Sequence, residues 1–203
     1  MKINTFIVGF PKSGTTSLHY YLNQHPDVCM SNVKEPNFFS SNEIAELYYD
    51  NTVIKTISDY IKLFDHPNNK ILGESSVSYI YYSSVAKKIF NHNSNAKIII
   101  ILRNPVDRAY SHYLHSKRDH HETLDFEESL SEEVGRLQKY IEGSDYLSYL
   151  RHSYVQQGLY AQMLKRYLNY FNLDNFLFVF FEDEFLENRD LVIKRILEFL
   201  ELD

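Results

Sequence analysis

The sequence predicts a three-layer α/β domain, in which a central, mostly parallel sheet is flanked by helices. Three observations predict it. Short apolar runs alternate with longer amphipathic segments along the chain, the order expected of strand–helix repeats. Lys97–Leu102 holds four consecutive isoleucines, which suits a parallel strand covered on both faces. A chain of 203 residues with 44% hydrophobic content is long enough to bury a sizeable core as one domain, residues 1–203.

Thr5–Phe10 reads as a buried strand. Pro11–Thr16 follows it, then a helical stretch in which Leu18, Tyr21, Leu22 and His25 share a face. Val28–Met30 reads as a short strand and Lys34–Ser40 as a loop. Residues 43–65 carry a helical period in one or two pieces, with Ile54, Ile57, Tyr60, Ile61 and Phe64 in phase. Lys70–Gly73 reads as a strand and Tyr79–Phe90 as a helix. After the isoleucine strand, Asn104 can cap a helix, Pro105 suits its first turn and Asp107 complements its positive end. Val106, Ala109, Tyr110, Tyr113 and Leu114 form the expected core face of that helix. Lys117–Thr123 is a charged break and Phe126–Glu142 a more polar helix. Leu159, Tyr160, Met163, Leu164, Tyr167, Leu168 and Phe171 mark another helix, before a strand at Phe176–Phe181 and a closing helix at Leu191–Leu200. Ligands of such sheets bind beyond the carboxyl ends of the strands. The chemistry is therefore expected after Phe10, Met30, Gly73, Leu102 and Phe181.

A formal net charge of −6 argues against a nucleic-acid binder, whose domain is usually basic, while leaving room for a local basic pocket. The single cysteine, Cys29, excludes an intramolecular disulfide and Cys-rich zinc patterns. No metal is expected, because His120 and His121, beside Asp119 and Glu122, fall on a polar break. Neither a secretory leader nor an apolar run of about 18 residues is read. The expected location is cytoplasmic, or the Golgi lumen if an N-terminal anchor has been trimmed.

Two strand exits carry polar signatures. The first is Gly9-Phe10-Pro11-Lys12-Ser13-Gly14-Thr15-Thr16-Ser17-Leu18, between a strand and a helix. Gly9 and Gly14 allow a tight turn that brings backbone N–H groups toward an anion, and the helix N-terminus adds more. Lys12 adds a charge, while Thr15, Thr16 and Ser17 add hydroxyls. The spacing from Gly9 to Gly14 matches the P-loop frame, but Thr15 stands where a nucleotide triphosphatase carries lysine; the cation has moved into the loop. At the fourth exit, Arg103 ends the isoleucine strand and Ser111 lies two helical turns on. An arginine fork with a hydroxyl can clamp a phosphate monoester. Equally, Arg103 can pair with Asp107 while Ser111 caps.

Together these segments resemble the sulfotransferases that use 3'-phosphoadenylyl sulfate (PAPS). Pro11–Leu18 is similar to that family's 5'-phosphosulfate motif, and Arg103-Asn104-Pro105-Val106-Asp107-Arg108-Ala109-Tyr110-Ser111 to its 3'-phosphate motif. Lys34-Glu35-Pro36-Asn37-Phe38-Phe39 resembles the carbohydrate branch, the heparan sulfate sulfotransferases and their bacterial relatives. Gly73–Tyr79 and Gln157–Tyr160 also fall where that branch has related stretches. The resemblance implies a P-loop-type fold and sulfuryl transfer from PAPS to a hydroxyl or amine, of a carbohydrate for preference. Adenosine 3',5'-bisphosphate is then the product, and no metal takes part. It implies donor binding by Lys12, Ser13, Gly14, Thr15, Thr16, Ser17, Arg103 and Ser111, with Lys12 and Glu35 as the catalytic pair. Three departures stand out: Ser75 where heparan enzymes often have lysine, Asn37 where some members carry histidine, and an end at Asp203, before the family's nucleotide-covering C-terminal segment.

Other readings stay open on the sequence. Glu35 is a general base or a partner of Lys34. His112 and His115 are bases, as in another branch, or packing residues. Glu74 orients a site group or caps a helix. The tyrosines at 79, 81 and 82 stack on a sugar or fill the core. A P-loop small-molecule kinase and a non-catalytic nucleotide-binding protein are the rival functions.

Overall fold

The structure, a computed structural model, describes residues 2–44, 53–143 and 147–202. Its strands are β1 (Thr5–Gly9), β2 (Val28–Met30), β3 (Ile71–Ser75), β4 (Lys97–Leu102) and β5 (Phe176–Phe180), in one sheet of order β2-β3-β1-β4-β5. Every pairing is parallel. All five carboxyl ends therefore lie along one edge, and β1, the first strand, sits at the centre. The predicted mostly parallel sheet is the one observed.

The helices are α1 (Thr15–Leu22), α2 (Ser41–Ile44), α3 (Ile57–Ile61), α4 (Ser83–His92), α5 (Pro105–Arg118), α6 (Phe126–Ile141), α7 (Leu147–Arg151), α8 (Tyr160–Leu168) and α9 (Arg189–Phe199). By contacts the chain divides into Met1–Leu102 with Met163–Asp203, and Arg103–Gln162.

The first unit contains the sheet. Ile7, Ile99, Ile101 and Val179 on one face pack with Leu18 and Leu22 of α1 and with Val192 and Ile196 of α9. The alternate residues Phe6, Ile98 and Ile100 are fully buried on the other face, as period-2 alternation requires. Burial on both faces explains the unbroken isoleucines of β4.

Most boundaries move by a residue or two. β3 runs to Ser75, past the expected Gly73, because Glu74 is a strand residue whose buried carboxylate finds hydroxyl partners. The expected helix over 79–90 splits into a 3₁₀ turn at Val77–Ile80 and α4. Of the expected 43–65 helix, residues 45–52 lie outside the described residues; α2 and α3 flank them. His25 falls beyond the end of α1.

In the second unit α5 starts as expected: the Asn104 side chain accepts from the N–H groups of Val106 and Asp107, and Pro105 is the first helical residue. Its core face follows the expectation only at Ala109 and Tyr113. Val106, Tyr110 and Leu114 are exposed, while Arg108, Ala109, His112, Tyr113 and Ser116 are buried. The cause is what α5 packs against. Arg108 donates to the carbonyl of Tyr154 and Ser116 to that of Arg151, while His112 Nε2 lies 2.9 Å from the Leu150 oxygen. The carbonyls at the end of α7 and just beyond it need donors, and a purely apolar face supplies none. Ala109, Tyr113 and Tyr154 form the small core, with Phe126 and Leu130 of α6 against it. Among the described residues, no helix is long and apolar enough to cross a membrane.

Candidate functional site

Between β1 and α1 the chain turns from sheet to helix within Phe10–Gly14. The Phe10 N–H bonds to Ile101 of β4 at 3.0 Å, which fixes the start of the loop. Lys12 and Gly14 both have left-handed backbone angles, φ 66° and 87°. Lys12 adopts a conformation that side-chain-bearing residues seldom take. At Gly14 a side chain is also sterically excluded, since a Cβ would lie 2.9 Å from the Phe181 ring.

Gly14 is the N-cap of α1, so no side chain caps the first turn. Its N–H groups, with the positive end of the helix dipole, form an anion-binding arrangement. Ser13 is fully buried and its Oγ has no hydrogen-bond partner among the described residues. A buried hydroxyl in that state is costly, and a phosphate or sulfate oxygen would satisfy it. Thr15 is buried in the first turn, while Thr16 and Ser17 are exposed.

Glu35 lies at the same edge of the sheet. Its N–H donates to the carbonyl of Ser75, the last residue of β3, at 2.9 Å. β3 is the hydrogen-bonded neighbour of β1. The Lys12 loop and the Glu35 loop therefore meet adjacent strand ends. Glu35 has φ 61° and pairs with Lys34 at 2.5 Å, the two side chains being 32% and 15% exposed. The ion pair considered from sequence exists, on a loop that is partly buried.

Arg103 and Ser111 belong to the second unit. Arg103 directly follows β4, which pairs with β1, and its carbonyl accepts from the Tyr160 hydroxyl at 2.8 Å. Ser111 stands within α5, so Asn104 rather than Ser111 is the cap. His112 is a packing residue: burial, then the charge of Arg108, hold its pKa down at about 3. Tyr79, Tyr81 and Tyr82 are buried in the first unit.

Two buried groups adjoin the end of β3: Glu74, read from sequence as orienting a site group or capping a helix, and His19, which the sequence did not single out. Glu74, fully buried, accepts from Tyr60 and Tyr79 hydroxyls at 2.6 Å each and from Ser76 Oγ at 2.7 Å. Burial raises its pKa to about 7, against the pull of those three hydroxyls. His19 of α1 is also buried, with Nδ1 3.1 Å from Ser75 Oγ. Burial, then the charge of Lys34, lowers its pKa to about 4. Hydroxyl-bearing residues at 75, 76, 78 and 79, just after a strand, were the sequence trace of this network. Among the described residues, no group of three or more His, Cys, Asp or Glu side chains is placed to hold a metal ion.

Comparison with known proteins bears on this geometry. Residues 2–203 match the family described as the sulfotransferase domain. A crystal structure of a sulfotransferase from Alicyclobacillus acidocaldarius superposes with a TM-score of 0.87 at 36% identity, covering 100% of this chain and 82% of that one. The membrane-associated sulfotransferase kil1 of Dictyostelium discoideum is 33% identical over 70% of this chain and 30% of its own length. Human carbohydrate sulfotransferase 15 is 27% identical over 97% of this chain and 43% of its own. The chain thus spans less than half the length of these two relatives. With its P-loop-like turn at the head of a five-stranded parallel sheet, the chain belongs to the sulfotransferase domain family.

Proposed function

We propose that the chain transfers a sulfuryl group from PAPS to a hydroxyl or amine of a carbohydrate. One observation supports this above the others: the loop from β1 to α1 offers an anion donors only, in Lys12, the uncapped helix start and the orphaned Ser13 hydroxyl. Similarity to carbohydrate sulfotransferase 15, and to mouse heparan sulfate N-deacetylase/N-sulfotransferase 4 at 31% identity over 85% of the chain, supports a sugar acceptor.

In this reading PAPS, bound at that loop, supplies a sulfuryl group whose bond to the 5'-phosphate oxygen breaks as the acceptor attacks. Lys12 neutralises the charge growing on that oxygen, and the Thr15 and Thr16 hydroxyls and the N–H groups of the first turn share the load. Ser13 Oγ donates to the same anion. Glu35 takes the proton that the acceptor loses. Arg103 and Ser111 hold the 3'-phosphate.

A thermal-shift measurement tests the donor assignment. Adenosine 3',5'-bisphosphate at about 100 times its Kd, without metal, stabilises by about 2.7 kcal/mol. That corresponds to a rise in Tm of roughly 5–10 °C for a domain of this size. Stabilisation by Mg-ATP instead would favour a kinase; stabilisation by neither would remove the donor site. Labelled PAPS presented with an array of sugars then tests the acceptor.

A further inference from the structure

The general base assigned above sits on a loop, and loops place side chains loosely unless something fixes them. Glu74 lies beneath that loop. The hydroxyl hydrogens of Ser76 and Tyr79 are directed at its carboxyl oxygens, which in the ionised form only accept. Their oxygens keep lone pairs for other donors, and two backbone N–H groups use them. Asn37 N–H donates to Ser76 Oγ at 3.2 Å, and Phe39 N–H donates to Tyr79 Oη at 3.1 Å. Two directional relays thus run from the 37–39 backbone to one buried carboxylate.

The relays reach Glu35 through Asn37. The Asn37 amide donates to the carbonyl of Glu35 at 2.7 Å, and its Oδ1 accepts from Ser78 at 2.6 Å. Both Glu35 and Asn37 are in left-handed conformations, which persist only where surrounding bonds over-determine them. Tyr60 supplies the third hydroxyl on Glu74 and stacks on Phe38 of the same loop, centroids 4.4 Å apart.

The geometry points to Glu74 as the positioning residue that holds the Glu35 loop at the end of β3, acting through Ser76 and Tyr79. The inference rests on the proposed role of Glu35, but the anchoring itself is measurable without any reaction.

The test is residue-resolved amide exchange combined with kinetics on Glu74→Gln, Ser76→Ala and Tyr79→Phe. A glutamine has one acceptor oxygen in place of two, so Glu74→Gln should speed exchange at Asn37 or Phe39 at least tenfold and leave Ile99 in β4 unchanged. Ser76→Ala should do this at Asn37 and Tyr79→Phe at Phe39. Turnover with PAPS should fall at least tenfold in Glu74→Gln, while Kd for adenosine 3',5'-bisphosphate stays within twofold. Unchanged exchange at both amides in all three variants would overturn the proposal. So would an equal loss of protection across the core, which marks a general stability role. If Glu74→Gln does not fold, the other two variants decide the matter. A chain that never turns over yet shows the local exchange pattern would refute the sulfotransferase reading and leave the anchor standing.

Discussion

Lys12 holds a left-handed position in a short loop, so its backbone conformation is set by the turn and its charge can be removed with little effect on the core. Lys12→Ala should lower turnover by a hundredfold or more, the usual loss when one preorganised donor to a developing anion is removed. Its Tm should stay near that of the unchanged chain; a parallel fall in Tm would make the lysine structural. Glu35→Gln should lower turnover by about 10²–10⁴-fold, the range of general-base catalysis, with nucleotide affinity unchanged in calorimetry. Retained turnover would return Glu35 to a simple partner of Lys34. At this scale the Lys12 loop was legible because its donors are consecutive in sequence. Glu74 was not. The sequence left it between orienting a site group and capping a helix, because its partners Tyr60 and Tyr79 come from separate elements and the strand was expected to end at Gly73.

For β3, one consequence of that carboxylate is a pH dependence. The folded pKa of Glu74 is about 7, above the ordinary 4.5 because burial disfavours its charge. An acid whose folded pKa is raised gives stability that is fully present below the unfolded pKa and is lost as pH rises through the folded one. Stability should therefore fall between pH 4.5 and about 7 by roughly 3 kcal/mol from this group alone. The titratable groups facing it are Tyr60 of α3, Tyr79 of the 3₁₀ turn, Tyr167 of α8 and Glu35 of the loop. Urea unfolding across that window, compared with Glu74→Gln, isolates the effect; parallel curves would contradict it. Elements differ in how far sequence reveals them. Asn104 and Pro105 marked the start of α5 through local bonds alone. Of its buried face only Ala109 and Tyr113 were foreseen, since Arg108, His112 and Ser116 are inside only because the carbonyls of residues 150, 151 and 154 accept from them or contact them.

At the scale of the molecule, the sheet order makes β1 and β4 neighbours, so the strands preceding the two proposed phosphate-binding segments are adjacent. Their alternation with helices was readable because parallel strands must be apolar on both faces, and the isoleucines of β4 satisfy that demand. The order of strands was not readable, since it depends on pairings such as Cys29 with Leu72 and Phe6 with Glu74. The proposed function requires that one nucleotide be recognised at both of its phosphates. Isothermal titration calorimetry of adenosine 3',5'-bisphosphate against adenosine 5'-monophosphate tests it most directly. The unchanged chain should bind the bisphosphate about 10–100-fold more tightly, the difference expected from charge-assisted bonds worth about 1.5–3 kcal/mol. Arg103→Ala should erase that difference, and Lys12→Ala should weaken both ligands alike. Equal affinity of the unchanged chain for the two nucleotides would contradict the account.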